Sequence, residues 1–206
     1  MGDVSAIMGP MPDPRYQTFD RMISGKWYIP GPEMDAQHER CWEVLNRINR
    51  AGEIDPEGLR SILAPGSHAP ETFGPVFIEY GVNTTFGPDC FVNTGTTILD
   101  CAPVTIGAGT LIGPACQLIT VGHPVNDARM RRDLWEKATP ITIGDDCWLG
   151  AGVLVMPGVT IGDRCVLAAG TVVTKDISDD SLVMGVPGRV VRSLADAPSE
   201  RPEIDS

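Results

Sequence analysis

Aromatic rings are scarce in this 206-residue chain, at 6% of residues. A core with few rings must be filled by aliphatic and small side chains in some regular way. Histidine is scarcer still: His38, His68 and His123 are the only three, which leaves little for a metal site. No two of the six cysteines form a Cys-x-x-Cys pair, so neither a zinc ribbon nor a thioredoxin-like site is suggested. Positive charge is also short. Sixteen Lys and Arg against 27 Asp and Glu give a net charge of −11 and a pI near 4.6. Nucleic acid requires a basic footprint, so it is excluded as the main ligand. No apolar run reaches the length of a membrane span. Residues 1–14 lack the charged, apolar and cleavage regions of a signal peptide, and Ala6 stands where a myristoylation site needs Ser or Thr. These absences leave a soluble, cytoplasmic protein as the expectation.

Glycine (23) and proline (18) are abundant instead. Apolar residues still make up 42% and mean hydropathy is −0.01, so the chain is not a low-complexity polymer. Its length fits one domain. An irregular arm is expected over 1–18, and residues up to 32 are expected to be mostly irregular. A helical cap is expected over 19–73. Met34, His38, Cys41, Trp42, Leu45 and Ile48 recur at three- and four-residue steps, one face of a helix. Asp55 followed by Pro56 reads as the capped start of a second short helix.

From Tyr80 onward the period is six. Tyr80, Phe86, Val92 and Ile98 are followed, after one eight-residue step, by Ile106, Ile112 and Leu118. After a break come Ile143, Leu149, Val155, Ile161, Leu167 and Val173. Seven of these thirteen openers carry Gly next, and the fifth position is small or β-branched in twelve hexads. A six-residue period fits a parallel β-helix in which each hexad is a short strand and a tight turn, with three hexads per triangular coil. Bulky openers and small fifth residues both point inward. Cys90, Cys116, Cys147 and Cys165 hold the small position, so a packing role is expected of them rather than redox chemistry. The solenoid is expected over 74–192 and a flexible acidic tail over 193–206.

One segment, 123–140 (HPVNDARMRRDLWEKATP), interrupts the repeat as an inserted loop. Insertions in solenoids lie at corners and often carry the binding site. The loop holds the only histidine of the repeat region, His123, together with Trp135.

The stretch from VGHPVNDARMRRDLWEKATPITIG to VVTKDI, followed by GVPGRVVR and preceded by DRMISGKWYIPGPEM, resembles the hexapeptide-repeat O-acetyltransferases. The maltose, galactoside and nodulation-factor enzymes are the nearest types. The resemblance covers about residues 19–192. It implies a mainly β, left-handed parallel β-helix with a small α-helical N-terminal cap, assembled as a homotrimer with active sites between subunits. It implies acetyl-CoA as co-substrate, no metal, and direct transfer of the acetyl group to a hydroxyl, with His123 as general base. The chemistry agrees, because a sugar hydroxyl is a poor nucleophile and a neutral imidazole can take its proton. On the acceptor side the resemblance points to Glu79, Asn93, Asp100 and Trp135. On the donor side it points to the amide near Ala151, to Ala169 and Thr174 along the coenzyme, and to Lys175, Arg189 and Arg192 near its phosphate end. An acidic protein that binds an anionic coenzyme must gather its few cations locally.

Three other readings compete. γ-type carbonic anhydrases share the β-helix but need three His per zinc, and the repeat supplies only His123. A non-catalytic solenoid would not need the donor-site pattern. A xenobiotic or antibiotic O-acetyltransferase shares the fold and the His-containing break, while the maltose-like cap favours a sugar.

Overall fold

The computed structural model describes residues 13–51 and 55–198. Residues 1–12 of the irregular arm expected over 1–18, and residues 199–206 of the expected tail, lie outside them. Residues 13–32 are less irregular than their composition suggests. Thr18 caps a five-residue helix, α1 (Phe19–Ile23), whose Met22 is fully buried. The long helix α2 (Pro32–Ala51) buries Met34, Cys41, Leu45 and Ile48 of the face that the spacing predicts, while His38 is half-buried and Trp42, at the edge of that face, is exposed. The helix α3 (Pro56–Ile62) starts as expected, with the Asp55 carboxylate accepting the Gly58 N–H and Pro56 in the first turn.

The remainder winds through three parallel sheets. Face 1 stacks Glu71–Phe73, Phe91–Asn93, Leu111–Ile112, Trp148–Leu149, Val166–Leu167 and Ser181–Met184, and Arg189–Ser193 adds antiparallel at its end. Face 2 stacks Phe77–Ile78, Thr97–Leu99, Gln117–Ile119, Leu154–Val155 and Val172–Val173. Face 3 stacks Thr84–Phe86, Val104–Ile106, Ile141–Ile143 and Thr160–Ile161. The chain visits faces 1, 2 and 3 in turn, and each rung pairs with the next coil in parallel register.

All thirteen predicted openers are buried. Twelve fill the prism. Tyr80 does not: Ile78 pairs with Ile98, so Ile78 is the true first opener of face 2. The eight-residue step therefore occurs twice, from Ile78 to Phe86 and from Ile98 to Ile106. Tyr80–Gly81 mimics the bulky-Gly signature, but here the glycine turns the chain with φ +75°. The Tyr80 ring packs outside the prism, in a second cluster with Met22, Tyr28, Met34, Cys101, Ala102 and Ala138.

Glycine after an opener serves close stacking. A Cβ on Gly150 would lie 2.7 Å from the Ala169 nitrogen of the next coil. The small fifth position does more than fit. Its hydroxyl or thiol donates to a carbonyl one coil on: Cys90 to Gly107, Thr110 to Gly144, Cys116 to Gly150 and Cys147 to Gly162. Thr and Cys thus interchange there because both are small donors. All six cysteines are buried and free.

Candidate active site

The corner from face 2 to face 3 is the one that widens. Its first coil holds Glu79 to Asn83, its second Asp100 to Pro103, and its third the excursion from Thr120 to Pro140. The excursion leaves and returns on a paired stem, Val121–Gly122 against Lys137–Ala138. Within it Asp127 caps a short helix, α4 (Ala128–Arg132), and the Arg131 guanidinium ties the Pro124 and Val125 carbonyls. The loop is therefore held by its own hydrogen bonds.

His123 follows the stem, with half of its side chain exposed. Its Nδ1 lies 3.1 Å from the Trp135 carbonyl oxygen. A carbonyl only accepts, so Nδ1 carries the proton and Nε2 presents its lone pair. Glu136 Oε1 is 3.7 Å from Nε2. Trp135 is half-buried, its ring edge-on to Tyr16 at 4.9 Å.

Behind the imidazole lies an acidic cluster. Burial pushes the Glu79 carboxyl up to about 6, the Cys101 thiol lowers it by donating to Oε2 at 3.1 Å, and the Asp100 and Glu136 charges raise it further. Asp100 is fully buried, and burial pushes its carboxyl upward. One of its oxygens accepts the Tyr80 N–H at 2.8 Å and the other the Thr84 hydroxyl at 2.9 Å. Asp100 thus braces the widened corner, with no surface of its own open to an acceptor.

The widened corner brings His123, Trp135, Glu79 and Asp100 together. It does not bring in Asn93, which ends the face 1 rung Phe91–Asn93, or Ala151 and Ala169, which follow later rungs of face 1 at its corner with face 2. Ala151 and Ala169 stack in one column, joined by the Gly170 N–H to Ala151 carbonyl bond of 2.8 Å. The N–H groups of Ala151 and Ala169 find no acceptor among the described residues. Thr174 and Lys175 are exposed on the His123 corner, two coils further on. Arg189 and Arg192 are exposed on the terminal antiparallel strand. Among the described residues none of these three cations is in an ion pair.

Residues 21–64 match the maltose acetyltransferase hexapeptide capping motif, and residues 140–175 match the hexapeptide repeat of succinyl-transferase. Nodulation protein L of Rhizobium meliloti is 38% identical over 86% of this chain and 89% of its own. The chain belongs to the hexapeptide-repeat acetyltransferases. Two solved members superpose closely. A maltose O-acetyltransferase from Clostridium difficile has a TM-score of 0.82 at 31% identity, covering 87% of this chain and 98% of the other. A galactoside acetyltransferase in complex with coenzyme A has a TM-score of 0.79 at 31% identity, covering 91% and 98%. This member of the family is an acyltransferase of the maltose and galactoside type. Two residues of this corner, Glu136 and Tyr28, were not among the expected site residues, although both lie in the segments that carry the resemblance. Only the position of Glu136 directly after Trp135, in a loop already suspect for His123, offered a signal.

Proposed function

We propose that the protein transfers an acetyl group from acetyl-CoA directly to a hydroxyl of a sugar, with His123 as general base. The observation that carries this reading is the ring geometry: Nδ1 is engaged by a backbone carbonyl, which leaves the lone pair on Nε2 of a half-exposed side chain. Nε2 takes the hydroxyl proton as the oxygen attacks the thioester carbonyl. A tetrahedral intermediate follows. The free Ala151 N–H is a suitable donor to its oxygen. Collapse expels the coenzyme thiolate, which recovers the proton from Nε2. Glu79, Asn93 and Trp135 face the acceptor in this reading, while Asp100 holds the corner beneath. Ala169, Thr174, Lys175, Arg189 and Arg192 track the coenzyme toward its phosphates, where two guanidinium groups suit phosphate geometry.

The expected residues divide between two corners of one chain. A site that used all of them would need one corner from each of two copies, which supports a homotrimer with sites between subunits. The faces favour this too. The outward column of face 3 is Thr85, Thr105, Thr142 and Thr160 in register. That of face 1 is Phe91, Leu111, Trp148, Val166 and Leu182. An apolar column that leaves Trp148 55% exposed fits a covered face. Six buried free thiols and an acetyl-CoA donor fit the cytoplasm.

His123→Ala is expected to lower kcat by about two orders of magnitude or more while the oligomer persists. Turnover is followed as acetyl-CoA consumption against mono- and disaccharides, with chloramphenicol and a streptogramin as the controls for an antibiotic acceptor. Near-normal turnover by the variant would reject the base assignment, and turnover of the antibiotics alone would reject the sugar.

A further inference from the structure

One dipeptide governs both nitrogens of His123. Trp135 supplies the carbonyl at Nδ1, and Glu136 places a carboxylate oxygen 3.7 Å from Nε2. An ionised carboxylate only accepts, so Glu136 leaves the Nε2 lone pair open; the two groups attract once Nε2 has gained a proton.

Glu136 is itself held from the far end of the sequence. Its N–H and carbonyl pair with the carbonyl and N–H of Tyr28, both at 2.9 Å. The Ile29 N–H returns to the Tyr16 carbonyl at 3.0 Å, and the Tyr16 ring abuts Trp135. The Tyr28 hydroxyl is completely buried beside Glu136 and Cys101 and makes no hydrogen bond of good geometry. A buried hydroxyl left without a partner is costly and rare, and Phe would fill the same space without that cost. Its neighbours include the one carboxylate that touches the base.

We infer that Glu136 is a positioning residue for His123 and that Tyr28 holds it there, so that the segment from Tyr16 to Ile29 serves catalysis as well as the fold. The inference rests on His123 being the base. When Nε2 takes the hydroxyl proton, positive charge appears 3.7 Å from the Glu136 carboxylate, which faces it without reorganising. The proton then passes from Nε2 to the leaving thiolate.

The test is steady-state kinetics of the full chain with acetyl-CoA and the best acceptor of the sugar screen, maltose being the first probe. Glu136→Gln keeps the shape and removes the charge. It is expected to lower kcat about ten- to a hundredfold, with the KM for acetyl-CoA within about twofold and Tm unchanged. Tyr28→Phe keeps the backbone bridge to Glu136 and is expected to leave kcat within about twofold while Tm stays or rises, because an unpaired buried hydroxyl is gone. Glu136→Asp, which keeps the charge, restores part of the lost kcat. Full kcat in Glu136→Gln, or losses that follow Tm alone, would overturn the inference. His123→Ala is assayed alongside. If it is active, the base assignment falls and this inference with it. If it is inactive while Glu136→Gln is fully active, only this inference falls.

Discussion

At the scale of single residues, the acidic cluster behind His123 is where chemistry and stability meet. The Glu79 carboxyl is pushed up to about 6 by burial and then by the Asp100 and Glu136 charges. The folded protein therefore binds this proton more tightly than the unfolded chain does. The stability Glu79 contributes is complete below its ordinary value of 4.5 and is lost as pH rises through about 6. Glu79→Gln never ionises. It is expected to match the wild type at pH 4 and to exceed it by about 1–2 kcal/mol at pH 8, read from denaturant melts at both values. Equal stability of the two proteins at pH 8 would show that Glu79 ionises without penalty. The sequence made Glu79 visible through a family position. It gave no sign of Cys101 donating to it, because that contact joins two coils at a corner where the period fails.

The helical cap illustrates what a repeat needs at its ends. The first coil has no coil before it, so its backbone would be left unpaired. Side chains of α2 take that place. The Asn49 amide donates to the Val76 carbonyl at 2.9 Å and accepts the Val76 N–H at 3.1 Å, in the manner of one more rung. Gln37 donates to the Tyr80 carbonyl at 2.9 Å. Asn49→Ala would strip both partners from Val76 and is expected to cost about 1–3 kcal/mol in denaturant unfolding, with little change in KM. A loss within error would mean that water replaces the amide. Spacing alone revealed α2, since Cys41, Leu45 and Ile48 recur with the helical period. Which polar residues of α2 bond to the solenoid was hidden, because that depends on how the helix sits across the prism. The same limit explains Tyr80. Periodicity reports which side chains turn inward but not into which of two cores, and a bulky-Gly pair at a widened corner looks like one on a regular rung. Glu136 was hidden for a related reason: its partner, Tyr28, is in the cap, and a backbone bridge leaves no pattern in either segment.

For the whole molecule, the contrast between faces carries the expectation of assembly. Face 3 shows water a ladder of threonines, and face 1 shows it Phe91, Leu111, Trp148, Val166 and Leu182. A charge in the middle of that column should prevent a second copy from covering it, because burying an unpaired carboxylate is costly. Trp148→Glu is expected to give a monomer in place of the proposed trimer, read as native mass, and to abolish turnover, with far-UV circular dichroism retained. A variant that stays trimeric would place the interface elsewhere. A monomer with full activity would show that one chain holds a complete site, against the division of residues between two corners.

The widened corner also says how such a protein can diversify. Two successive coils take up two extra residues there, the third takes up a whole loop with its own helix, and the strands on either side still pair rung for rung. Length can therefore be gained or lost at one edge without displacing any residue of the other faces. In the proposed reading, the acceptor contacts of Glu79 and Trp135 could change with that edge while the column of Ala151 and Ala169 keeps its place.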